Sequence, residues 1–292
     1  MKIDKNKIEF FLFRLILALL KKLGLEKTRK FASGVGIFIY YFIPIRRSTT
    51  IANLKKAFPE KSSSEIRSIA RKNYQSITIT FFELMLIPHL SQDEIDRQVS
   101  VDGMDLINEK LQKGKGLILL TAHFGNWEFI IAYLAQKLEG KFNVLIKPQR
   151  NPYITKWLEE TRSVSNAKII PIGVSVKAIF QALNKGEVVL IAGDQRGHVA
   201  GPRFSFFNQS TAYYTGTAAI LFRTKCELLV GFIHREKDFS YRLVFKEIDY
   251  SDLPDDEEKW INQLTQRYIN ILEQHVKESP EQYFWMHKLW KY

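Results

Sequence analysis

Gly116-Leu117-Ile118-Leu119-Leu120-Thr121-Ala122-His123-Phe124-Gly125-Asn126-Trp127-Glu128 passes from an apolar run into a polar turn, then into the amphipathic run Phe129 to Leu138. That order reads as strand, turn, helix. His123 falls at the end of the strand and Glu128 in the first turn of the helix. A histidine titrates near neutrality, so at a strand end it can accept a proton, and a nearby carboxylate can fix its tautomer. On one continuous helix, a five-residue step would set the two side chains about 140° apart. The pair is meaningful only if Phe124-Gly125 turns His123 back over the helix start, and glycine permits such a turn. Asn126 suits the cap of the helix that follows.

The alternation continues outward from this unit. Strands are expected at 117–122, 143–147, 168–172 and 187–192, with helices at 127–138, 152–163 and 175–185. An irregular loop at 195–210, a helix at 212–224, strands at 227–234 and 240–248, and a helix at 256–278 complete the reading. Upstream, residues 48–90 read as helical. Ser62-Ser63-Ser64 caps a run with Ile66, Ile69, Ala70 and Tyr74 at helical spacing, and Pro88 stops the next helix. Strands alternating with helices predict an α/β fold, a central mixed sheet flanked by helices. Sites in such sheets lie at the carboxyl ends of strands. His123 and Asp194 both fall at such ends and are expected to share one pocket.

The net charge of +12 over 292 residues favours anionic partners. The charge is spread along the chain and no nucleic-acid fingerprint accompanies it, so a membrane surface or an acidic protein explains it better than nucleic acid. The single cysteine, Cys226, excludes an internal disulfide and a cysteine zinc site. Cys226 has no base near it in sequence, so a thiol nucleophile is not expected. The histidines are scattered without ligand spacing, so no metal is expected. Ile8–Leu20 and Phe31–Ile45 are apolar runs edged by Lys21-Lys22 and Arg46-Arg47. Each is short of the ~20 residues that cross a bilayer comfortably. They read as a helical pair embedded in one leaflet, with a single span from Ile8 to about Gly24 as the rival.

The stretch His123-Phe124-Gly125-Asn126-Trp127-Glu128 resembles the His-x-x-x-x-Asp/Glu motif of the lipid A biosynthesis acyltransferases, the late lauroyl/myristoyl-type membrane enzymes. Gln149-Arg150-Asn151-Pro152, Gly193-Asp194-Gln195, Phe206-Phe207 and Pro280 to Lys288 agree in order, so the likeness runs from about residue 45 to the end. It implies a glycerolipid acyltransferase-like domain over 48–292 behind a membrane-associated helical segment over 1–47. It implies O-acyl transfer from acyl carrier protein to a glycolipid at the cytoplasmic face of a bacterial inner membrane, without a cofactor. His123 is then the general base and Glu128 the carboxylate that orients it.

An acceptor carrying phosphates and sugar carboxylates calls for guanidinium groups, and Arg150, Arg162 and Arg196 are the candidates. Asp194 either holds one of these arginines or, with Gln195, forms the site wall. Phe204, Phe206 and Phe207 are candidates for an acyl groove. Asn208 stands where the family has glycine, Tyr213 where threonine is common, and Leu289 where arginine is common. These departures leave acceptor and chain length open. A lysophospholipid or aminolipid acceptor, with acyl-CoA or acyl carrier protein as donor, is the enzymatic alternative. A basic lipid- or nucleic-acid-binding module remains the non-enzymatic one.

Overall fold

The computed structural model describes residues 4–43, 45–147, 149–164, 166–172 and 175–291, leaving aside the side chains of 162–164 and 175. The chain begins with α1 (Lys5–Phe42), α2 (Arg47–Ala57), α3 (Ser63–Leu86) and α4 (Gln92–Gln98). The two apolar runs form a helical pair within α1, as expected. Gly24, at φ 71° and ψ 173°, is non-helical and kinks the chain between them, and glycine adopts such a positive-φ backbone at little cost. Ser62 caps α3 by accepting from Glu65 N, while the Glu65 carboxylate accepts from Ser62 N. This reciprocal capping box satisfies two otherwise orphaned donors.

Next come β1 (Val99–Asp102), α5 (Met104–Gln112), β2 (Leu117–Thr121), α6 (Trp127–Lys137), β3 (Phe142–Ile146), α7 (Pro152–Val164), β4 (Lys168–Pro171), α8 (Ser175–Asn184) and β5 (Val188–Ala192). A hairpin of β6 (Arg203–Phe206) and β7 (Gln209–Ala212) occupies part of the segment expected to be irregular. Its turn residues Phe207 and Asn208 have φ of 53° and 56°, the paired positive values of a type I′ hairpin turn. The hairpin delays α9 (Gly216–Thr224), expected from 212. β8 (Glu227–Arg235), β9 (Tyr241–Lys246) and α10 (Glu257–Glu278) follow.

The main sheet has seven strands in the order β1-β9-β8-β2-β5-β3-β4. The run from β8 to β4 is parallel, and the antiparallel β8–β9 pair reverses the edge. Successive side chains on a strand point to opposite faces, so the central strands feed two cores. Ile118, Leu120, Val230 and Phe232 pack with Leu264, Ile269 and Leu272 of α10. Leu117, Leu119, Leu229 and Ile233 pack with Phe129, Ile130 and Leu134 of α6. The C-terminal residues cross the carboxyl ends of the strands. Asn73 of α3 donates to Glu281 O and Tyr283 O, and Asn53 of α2 donates to Trp285 O and His287 O.

Candidate active site

Two neighbouring parallel strands bring the site together. Thr121 at the end of β2 pairs with Ala192 at the end of β5. The chain continues in step, with Gly193 N donating to Thr121 O at 2.8 Å. Two residues beyond each partner stand His123 and Asp194. His123 Nδ1 hydrogen-bonds Asp194 Oδ1 at 2.8 Å. Asp194 is fully enclosed and His123 is partly open to solvent. Burial alone would push His123 down. The charge and hydrogen bond of Asp194, with Glu128 acting at longer range, overcome this and raise its pKa. Burial would likewise raise Asp194, but the His123 imidazole, with His287 farther off, holds it below the usual carboxylate range.

This corrects two sequence expectations. The hydrogen bond that orients the imidazole comes from Asp194, where Glu128 was expected to supply it. Asp194 holds the histidine rather than an arginine. Glu128 is buried beside the site. Its Oε1 accepts from Trp127 Nε1 at 3.1 Å, and its backbone N–H donates to Asn126 Oδ1. With Leu84, Ile87, Ile131, Ala132, Trp157 and Leu158 among others, it also lines a small, half-open apolar depression. The Trp127 indole stands edge-on to the His123 ring at 4.9 Å.

The turn itself is held tightly from behind. Gly125 has φ 60°, and a Cβ there would lie 1.8 Å from Ile233 O. Gly125 N donates to Gln282 O, and Thr80 Oγ1 donates to Gly125 O. Asn126 caps α6 as its sequence position suggests, while its Nδ2 donates to Glu83 Oε2 at 2.8 Å. Glu83 is a buried junction that sequence reading missed. It receives Arg29 Nε of α1 at 2.6 Å, Arg235 of β8 at 3.5 Å and the Tyr241 hydroxyl. A carboxylate in the last turn of α3, set among Phe82, Leu84 and Met85, was the available signal, since a charge buried there needs partners.

The remaining candidates disperse. Arg150 is exposed and pairs with Glu9 of α1 at 2.8 Å, so it fastens the N-terminal helix rather than facing His123. Arg162 lies on α7, and its side chain is outside the described residues. Gln195 is exposed on the loop after Asp194. Arg196 Nη1 donates to Lys288 O at 3.1 Å, near the site mouth. Phe204, Phe206 and Phe207 are buried against Phe58, Tyr213 and Trp285. Burial raises the Cys226 thiol, which suits a core residue and not a nucleophile. The histidines are less scattered than their spacing suggests. His234 Nε2 and His275 Nδ1 hydrogen-bond at 2.8 Å, with Glu278 within 4.8 Å of both. This group stands behind the Phe124 ring, off the His123 side.

A partly exposed histidine hydrogen-bonded to a buried aspartate at adjacent strand ends fits an acyltransferase. The chain belongs to the bacterial lipid A biosynthesis acyltransferases, whose family model matches residues 3–292. It is thus an acyltransferase, and membership implies a lipid A-type acceptor. The match also takes in α1, beyond the stretch from residue 45 on which the resemblance was read. The chain is 28% identical over 286 residues to the lipid A biosynthesis lauroyltransferase of Escherichia coli (strain K12), across 94% of this chain and 89% of that protein. It is 23% identical over 267 residues to the lipid A biosynthesis palmitoleoyltransferase of the same organism, across 88% and 82%. The phosphatidylinositol mannoside acyltransferase of Mycobacterium tuberculosis is 22% identical over 153 residues, across 50% of this chain and 48% of that protein.

Proposed function

We propose that the protein moves a fatty acyl chain from the thioester of acyl carrier protein to a hydroxyl of a lipid A-type glycolipid, with His123 as general base. The single observation that carries this reading is the 2.8 Å hydrogen bond from His123 Nδ1 to Asp194. With its Nδ1 proton committed to the carboxylate, a neutral imidazole keeps its lone pair on Nε2. Nε2 takes the hydroxyl proton as the acceptor oxygen attacks the thioester carbonyl carbon. The tetrahedral oxyanion collapses by breaking the C–S bond, and the imidazolium returns its proton to the departing thiolate. An ester and a free thiol result, with no protein nucleophile and no cofactor. Asp194 stabilises the imidazolium through the charged hydrogen bond, and Glu128 adds negative charge from the α6 side. The acyl chain would lie along the apolar side chains beside Glu128, among them Leu84, Ile131 and Trp157.

The N-terminal segment 1–47 would hold the enzyme on the cytoplasmic face of the inner membrane. No helix among the described residues is long and apolar enough to cross a bilayer. Ile8, Phe11, Leu12, Leu15, Ile16 and Leu19 are exposed, and their spacing puts them on one face of α1. Phe38, Tyr41, Phe42 and Ile45 continue the exposed apolar surface. Lys21, Lys22, Arg46 and Arg47 edge it with charge suited to anionic headgroups. Such a helix lies in one leaflet.

The mycobacterial relatives favour a second reading, a phospholipid-linked glycoside as acceptor. Purified enzyme with acyl carrier protein thioester and each acceptor, read by mass spectrometry, tests both. Acyl transfer abolished by His123→Ala supports the mechanism. Equal transfer by the variant contradicts it.

A further inference from the structure

Behind Phe124 the chain assembles a group that acyl transfer does not use. His234 lies near the end of β8, and His275 and Glu278 lie in the last turn of α10. A step of three residues sets His275 and Glu278 on one face of that helix. His234 Nε2 and His275 Nδ1 are 2.8 Å apart. One donor atom from each of the three residues lies within 4.8 Å of the others. Two imidazoles and a carboxylate thus meet from two elements distant in sequence.

The surroundings close this group on one side and open it on the other. Ring centroids of His275 and Phe232 are 4.4 Å apart, and those of His234 and Phe124 4.8 Å. Both imidazoles are buried, whereas Glu278 is exposed, so an ion has access from the Glu278 side. Burial pushes both histidines down, His275 to about 4 with His234, Lys246 and Arg242 adding to the effect. Both are therefore neutral near pH 7, the form in which imidazole ligates metal. The C-terminal end of α10 presents the negative end of the helix dipole, which favours a cation. Lys246 and Arg242 of β9 oppose one, but Arg242 is already paired with Glu236 at 3.3 Å and Asp102 at 3.7 Å. Among the described residues no lysine or arginine pairs with Glu278, which leaves its charge to neutralise an ion.

We infer that His234, His275 and Glu278 form a binding site for a divalent transition metal ion, Zn²⁺ foremost, that ties β8 to α10. Two imidazoles and one carboxylate suit zinc, with water as the fourth ligand. They suit Ca²⁺ and Mg²⁺ poorly, since those ions take oxygen donors. Tetrahedral bonds of about 2.0–2.2 Å hold ligand atoms roughly 3.3 Å apart. The two nitrogens therefore part by about half an ångström from their 2.8 Å contact, and the exposed Glu278 side chain swings in. The shared proton moves to the outer nitrogen of its own ring, so both imidazoles stay neutral and no proton is released. The place gives the ion a structural task. Ile233 O stands against Gly125, Gln282 holds both Arg235 N and Arg235 O, and Gln282 O accepts from Gly125 N. Residues that flank the ligands on both elements thus back the turn carrying His123, and joining β8 to α10 stiffens that backing.

Full-length protein stripped of metal by a chelator is titrated with Zn²⁺ by calorimetry. A parallel titration uses Co²⁺, whose visible absorption reports tetrahedral coordination. The wild type should take up one ion. Glu278→Ala, at an exposed position, should bind at least about tenfold more weakly, and His275→Gln about a hundredfold, since even an outer-shell partner is worth that range. His89→Ala/His198→Ala, which removes two exposed histidines, and His123→Ala should bind as the wild type does. Zn²⁺ should raise the melting temperature of the wild type, because it binds the folded state, and leave that of His275→Gln unmoved. Circular dichroism reports folding, and Glu278→Ala carries the test if His275→Gln fails to fold. Absence of one-to-one uptake, or uptake unchanged in both Glu278→Ala and His275→Gln, overturns the inference and leaves a hydrogen-bonded histidine pair only. Uptake lost in His123→Ala and kept in Glu278→Ala overturns it too, by placing the ion at the catalytic pair.

Discussion

Asp194→Asn isolates the interaction on which catalysis is argued to depend. The substitution keeps side-chain size and an oxygen that can still accept from Nδ1–H, and removes the charge. At the observed 2.8 Å separation, the attraction between carboxylate and imidazolium is bounded at about 6 kcal/mol for an effective dielectric of 20. The charge-assisted hydrogen bond within it is worth about 1.5–3 kcal/mol. A transition-state loss of about 3–5 kcal/mol follows, or roughly 10²–10⁴ in kcat. The pH profile carries an independent signature. Asp194 raises the His123 pKa, and the base is active only when neutral, so wild-type activity is lost as pH falls through that raised value. Removing the charge lets burial dominate, and the acid limb moves to lower pH. Initial rates across pH, with circular dichroism as the folding control, measure both effects. Less than tenfold loss with an unmoved acid limb would refute the role given to Asp194.

Gly125→Ala should abolish activity and cost more than about 3 kcal/mol, because the new methyl would meet Ile233 O at 1.8 Å on a left-handed backbone; chemical denaturation reads the loss. Glu83→Gln should lower stability by about 3–5 kcal/mol, because it strips the counter-charge from Arg29 and Arg235, both largely buried. Leu12→Glu/Leu15→Glu changes two exposed residues of α1. It should leave the melting temperature unchanged and weaken co-sedimentation with anionic vesicles by roughly 10²-fold or more, since burying one leucine is worth about 1.5–3 kcal/mol.

The parallel strands and their helices were legible because each is long enough to show its period. Apolar runs at 117–122 and 187–192 bounded by turn residues could be little else. The short elements α4, β1 and α5 have seven, four and nine residues and carry too little period to be read. The site was legible at His123, whose strand-end position is a local property. Asp194 was expected in the same pocket from its own strand-end position, but not as the partner of His123. Glu128 is near in sequence and was given the orienting role, but β2 and β5 are neighbours in the sheet although β3 and β4 come between them in the chain. Strand order decides that Asp194 meets His123, and periodicity does not encode strand order. Arg150 sits in a motif yet pairs with Glu9, whereas Arg196, also a candidate, lies against Lys288 O of the segment beside His123.

The most direct measurement of the central claim is single-turnover transfer from acyl carrier protein thioester to a lipid A precursor by wild type and His123→Ala, with the product identified by mass spectrometry. The wild type should add one acyl chain and release the carrier thiol, and the variant should be slower by on the order of 10² or more with unchanged circular dichroism. Transfer by His123→Ala at the wild-type rate would show that the proton leaves the lipid hydroxyl by another route.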